Sequence, residues 1–211
     1  MALRIAALIV NIALGVIVWV YWGRMALHRD DSGKLSAEGL RSLKYFTVLS
    51  NLLEGAAALV YAVCVARVLL GAAEGIPCWV QVLKYAAAVS VGLTFLTVML
   101  YLGPKFGYKS MFLGSNLWFH LLVPVAAMLS FCLLERDGAL PFAASFLAVL
   151  PMVLYGIGYV INLLLHGLGE GEDTHDWYGF AQGGAKIAAM VFAGMILTTW
   201  GFALLLRLAR L

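Results

Sequence analysis

The sequence predicts an all-α, polytopic membrane protein: a six-transmembrane-helix bundle with a polar interior cavity, formed by residues 1–211 as one domain. Three observations carry that expectation. The chain is 64% hydrophobic and 12% charged, with a mean hydropathy of +0.95, which is more apolar surface than a water-soluble domain can hide. Apolar runs of about 20 residues, long enough to cross a hydrocarbon core at about 1.5 Å per residue, recur from end to end. Several of those runs carry polar side chains at helical spacing, as expected of helices that share a wet interior.

Taken in order, the runs occupy about 3–22, 43–70, 80–102, 117–134, 142–165 and 183–206. The first is too long for a secretion-signal core, and "YWGRMALHRDD" offers no small-x-small cleavage site, so it reads as a retained helix. The loop 23–42 is the longest polar stretch, and its second half is expected to form a short interfacial helix. Pro104 in "LGPKFGYKSMFLGS" marks the end of the third span. "LLERDGALP" makes a tight turn between the fourth and fifth. Pro151 lies inside the fifth span and is expected to kink it, as membrane helices tolerate. Before the last span, "HGLGEGEDTHDWYGFAQGG" is Gly-rich and acidic, with Trp177 and Tyr178 expected at headgroup depth as anchors. Gly183, Gly184, Gly194 and Gly201 are expected to allow close helix approach.

The net charge is +3. Six spans put both termini on one side, and the basic residues divide between the two sides without a decisive bias. In that division Lys84 falls with the termini. No basic stripe interleaved with aromatics points to nucleic acid. Cys64, Cys78 and Cys132 have no metal or redox spacing, and Cys64 and Cys132 read as small packing residues.

The polar stripes are the informative feature. Positions 47, 51, 54 and 58 fall within an arc of roughly 60° on a helix, so Thr47, Asn51 and Glu54 stack along one face. Ser90, Thr94, Thr97 and Tyr101 repeat the pattern in the third span. The fourth has Asn116, His120 and Pro124, and the fifth has Tyr155, Tyr159, Asn162 and His166. Hydroxyls and amides of this kind also serve as interhelical glue. His120 and Glu54 are different, because an ionisable side chain at depth costs roughly 2.5–3.5 kcal/mol and marks a functional site. Burial disfavours an imidazolium, which leaves His120 able to accept a proton. A neutral imidazole beside a hydroxyl is the minimal nucleophile–base pair. Thr47, at the head of its stripe, is the favoured hydroxyl, and Ser50 points away from it. Asn51 and Asn116 are candidate donors to an oxyanion. For Glu54 the sequence leaves three readings open: a protonated carboxyl, a group that orients the imidazole, or a side chain that snorkels within the bundle in a structural role.

At these residues a family resemblance enters. "LKYFTVLSNLL" resembles the second-helix motif of the FAR-17a/AIG1-like membrane proteins, the androgen-induced and androgen-dependent TFPI-regulating family, and of related bacterial multi-pass proteins. "NLWFHLLVP" is similar to that family's histidine segment, and "DWYGF" resembles an element before its last span, with glycine where the family often has proline. The resemblance implies a membrane hydrolase of fatty acid esters of hydroxy fatty acids, with Thr47 and His120 as the catalytic pair. It also implies a multi-pass protein of the inner or plasma membrane if the chain is bacterial.

The expected function is therefore an intramembrane threonine hydrolase that draws a lipid ester from the bilayer and needs no cofactor or metal. Its expected partners are that substrate and membrane lipids, not nucleic acid. One rival is a ceramidase-like zinc hydrolase using His120, His166, His175 and Asp176. The other is a non-enzymatic lipid-binding or transport bundle, which paired broken helices would support.

Overall fold

Six apolar runs become six helices. The computed structural model describes residues 1–27, 39–169 and 174–210. Among them no strand forms, and the helices long and apolar enough to cross a membrane are α1 (Ala2–Ala26), α2 (Phe46–Leu69), α3 (Cys78–Phe106), α4 (Ser115–Leu133), α5 (Ala144–His166) and α6 (Ala185–Ala209). Residues 28–38, where most of the expected interfacial helix falls, lie outside the described residues. After them Gly39–Lys44 form a 3-10 turn that leads into α2. Ile9, Val16, Leu129, Leu164 and Leu197 point outward and are exposed, the arrangement that hydrocarbon permits and water does not.

The central helix is α3, with 61% of its most apolar window buried against 17% for α6. It touches α2 through Ser50 and Thr94, whose hydroxyls share a hydrogen bond of 3.0 Å. It meets α4 through the stacked rings of Tyr85 and Phe131, and α6 through the Tyr85 hydroxyl on the carbonyl of Ala203. Of the glycines expected to allow close approach, Gly183 is tight only against Ile187 of the helix that follows it, where a Cβ would stand 2.7 Å from Cδ1, and the close approaches between helices are made at other glycines. A Cβ on Gly55 of α2 would stand 2.8 Å from Cγ1 of Val18 in α1, and one on Gly92 of α3 would stand 2.1 Å from the Phe202 ring. Gly194 and Gly201 have nothing within 4 Å, and Gly184 opens α6 with φ +84, a conformation that favours glycine.

Two helices widen into single π turns, Val98–Leu102 in α3 and Trp118–Leu122 in α4. Each π turn stops two residues short of a proline, Pro104 and Pro124. A proline cannot donate to the carbonyl four residues back, and its ring presses on that carbonyl. A π turn spreads the backbone there and relieves the conflict. In α5 the expected kink at Pro151 is a break just before it. Ala144–Leu147 form one turn, and a second helix, Leu150–His166, starts with Pro151 in its first turn, where a missing N–H costs nothing.

Both termini lie at one end. Arg4 pairs with Asp137 of the α4–α5 turn at 2.9 Å, and Arg210 donates to Gln81 of α3 at 3.0 Å. The opposite end carries the Gly39–Lys44 turn, the one-turn helix Tyr108–Met111 and the described residues between α5 and α6.

Candidate functional site

Thr47 stands in the first turn of α2, at the end opposite the termini. It lines a chamber of about 110 Å³ with Thr94, Thr97, Tyr101, Tyr155 and Tyr178. Among the described residues its hydroxyl makes no hydrogen bond, whereas Ser90 and Thr97 are tied to their own backbone at Ala86 and Leu93. Two grooves share the chamber's walls. One, of about 510 Å³, runs between α2 and α5 past Leu49, Leu53 and Leu154. The other, of about 440 Å³, runs between α3 and α6 past Leu96, Val191 and Thr198. Lys105 at the chamber and Lys44 at the first groove are the cations at the rim. The polar groups are thus divided, with hydroxyls in a mostly apolar chamber at one end and a buried ion pair, Glu54 with Lys84, deeper in the bundle.

His120 sits at the centre of the α4 π turn and is buried. Its Nδ1 lies 2.9 Å from the carbonyl of Met111. A carbonyl can only accept, so Nδ1 carries the hydrogen and Nε2 of the neutral ring keeps its lone pair. The orienting group is therefore a main-chain carbonyl and not Glu54. Among the described residues no hydrogen bond joins His120 to Thr47, and His120 is not among the residues lining the chamber.

Asn51 binds the two segments together. Its Nδ2 donates to the Thr47 carbonyl at 2.7 Å and to the Phe119 carbonyl at 3.0 Å. The backbone at Thr47 and the residue before His120 are thus no farther apart than those two bonds laid end to end. Both N–H bonds of Asn51 are spent on main chain, which removes it as an oxyanion donor. Asn116 is the opposite case, a buried side chain whose Nδ2 makes no hydrogen bond among the described residues. Glu54, two turns below Thr47, is wholly buried and ion-paired with Lys84 of α3. Lys84 therefore belongs to the interior and not to the loops on the terminal side.

The described residues between α5 and α6 cover the chamber. Asp176, buried, accepts from the Tyr159 hydroxyl and from the backbone of Phe180 at 2.9 Å and Ala181 at 3.0 Å. That fixes the turn carrying Trp177 and Tyr178. Trp177 donates to the Tyr155 hydroxyl at 3.0 Å, and that hydroxyl donates to the Lys44 carbonyl at 2.7 Å. The Tyr178 hydroxyl accepts the otherwise unpaired N–H of Phe46 at 3.0 Å, and burial pushes its phenol up to about 12. Both rings line the chamber, so they are walls of the site. The stripe Tyr155, Tyr159, Asn162 on α5 docks this cover, with Asn162 donating to the His175 carbonyl at 3.4 Å.

The same contacts bear on the zinc rival. His166 and His175 stack on each other at 5.0 Å, Asp176 is occupied within the turn, and His120 belongs to α4. Among the described residues no three His, Cys, Asp or Glu side chains converge on a common point. The chain matches no family model, no curated protein and no solved structure.

Proposed function

We propose that the chain is an intramembrane threonine hydrolase that cleaves lipid esters, of the class of fatty acid esters of hydroxy fatty acids, at Thr47. The observation that carries the reading is the unengaged Thr47 hydroxyl at a chamber flanked by two apolar grooves. Such a shape suits an ester with an apolar arm on each side of its carbonyl. The resemblance of "LKYFTVLSNLL" and "NLWFHLLVP" to the FAR-17a/AIG1-like family points the same way.

In this mechanism Nε2 of His120 takes the Thr47 proton as the hydroxyl attacks the ester carbonyl. The alkoxide leaves with that proton, and an acyl-threonine remains. Water, activated by the same ring, then releases the fatty acid and restores the hydroxyl. Nδ2 of Asn116 supplies the donor for the oxyanion. Catalytic hydrogen bonds often close only around substrate, which is the step asked of Thr47 and His120 here.

Thr47→Ala is expected to leave a folded protein whose turnover of a lipid ester falls by about 10³-fold or more. Labelling by a fluorophosphonate probe should be lost with it. Undiminished turnover removes Thr47 from the chemistry. Lipid binding that persists in a parent protein with no turnover favours the non-enzymatic bundle.

A further inference from the structure

The two π turns each leave one carbonyl loose. In such a turn an N–H binds the carbonyl five residues back. The Gly103 N–H is on the Val98 carbonyl, and the Val123 N–H is on the Trp118 carbonyl. The next N–H in each ladder would come from Pro104 and Pro124, which have none. The carbonyls left unserved are those of Met99 and Phe119.

In an apolar solvent a carbonyl needs a donor from somewhere. A side chain supplies it both times. The Phe119 carbonyl takes Nδ2 of Asn51 at 3.0 Å. The Met99 carbonyl takes the hydroxyl of Tyr108 at 2.8 Å.

The second bond bears on His120. Tyr108 opens the one-turn helix Tyr108–Met111, a segment too short to hold its own shape. Its ring lies against Gly103 of α3, where a Cβ would collide with it. At the other end of the turn, Met111 is buried and presents its carbonyl to Nδ1 of His120 at 2.9 Å. Helix α3 thus reaches the imidazole of α4 through Tyr108 and Met111.

We infer that Tyr108 is a positioning residue for His120. By anchoring the Tyr108–Met111 turn on the carbonyl that Pro104 leaves free, it holds the ring in the Nδ1–H form with Nε2 open. The consequence for turnover rests on the hydrolase reading, whereas the effect on the ring does not.

The test uses the full-length protein in nanodiscs with nitrogen-15 in its histidines, at about pH 8 where an ordinary imidazole is neutral. The His120 signals are identified by their loss in His120→Gln. In the parent, His120 should be a single Nδ1–H tautomer. Tyr108→Phe removes only the hydroxyl, and Gly103→Ala displaces the ring while favouring the helix. Both should melt no more than about 2 °C below the parent, yet show His120 as a mixture of tautomers or as Nε2–H. With a lipid ester, Tyr108→Phe should lower kcat by about 10–100-fold and leave KM within about twofold. An Nε2–H ring in the parent, an unchanged tautomer in either variant, or a Tyr108→Phe protein that does not fold overturns the inference. Undiminished kcat in Tyr108→Phe from an active parent overturns it too. A parent without turnover whose tautomer still shifts in both variants ends the hydrolase reading and upholds the positioning of the ring.

Discussion

At the scale of single residues, the two asparagines flanking the proposed chemistry differ in what their amides have left to give. Asn51 has both hydrogens on main-chain carbonyls, while Nδ2 of Asn116 is buried and unused. Asn116→Ala is therefore expected to lower kcat on a lipid ester by about 10²–10³-fold with little change in melting. Asn51→Ala should instead cost about 1–3 kcal/mol of stability by unbinding α2 from α4. Single-turnover kinetics alongside thermal melts separate the two. Thr47 and His120 stand out in the sequence as candidates because a hydroxyl and an imidazole are conspicuous in apolar runs. Which asparagine keeps a free N–H was not legible there, because it depends on a carbonyl 68 residues away. The partner of Glu54 was hidden for the same reason. Lys84 lies 30 residues on, and only the packing of α2 on α3 brings them together.

At the scale of elements, the cover between α5 and α6 closes the chamber through phenols and one buried carboxylate. Tyr178 makes its pH dependence specific. Its phenol is raised by burial from 10.0 to about 12, so the folded state prefers the un-ionised form. The stability this supplies is fully present below pH 10 and is lost as pH rises toward about 12. Melting temperature followed over that window should fall in the parent, and Tyr178→Phe, which cannot ionise there, should flatten the decline. A Tyr178→Phe profile parallel to the parent's would discharge Tyr178 from that role. The π turns were readable in principle, since each precedes a proline by two residues. Pro104 reads from the sequence as a helix end and Pro124 as part of a polar stripe, yet both distort the helix before them, because a proline's ring acts on the carbonyl four residues back.

At the scale of the whole molecule, the six helices follow from hydropathy because run length and apolar content are local properties. The split of polar groups into a chamber and a separate charged assembly does not, because it is a property of packing around α3. The two grooves give the bundle a testable shape. Gly194, with open space around it, lines the groove between α3 and α6, so Gly194→Trp should fill that groove alone. The variant is expected to turn over esters with a short arm on that side at near-parental rates and those with a long arm about tenfold more slowly. A chain-length series measures the ratio, and equal loss for both lengths would mean that neither arm uses this groove. The chamber's position has a further consequence. Thr47 and its cover lie within the first turns from the end opposite the termini, while the other end is tied by the Arg4–Asp137 pair. For the hydrolase proposed above, substrate would be drawn from one leaflet only, and lipid confined to the other would have to flip before it could be cut.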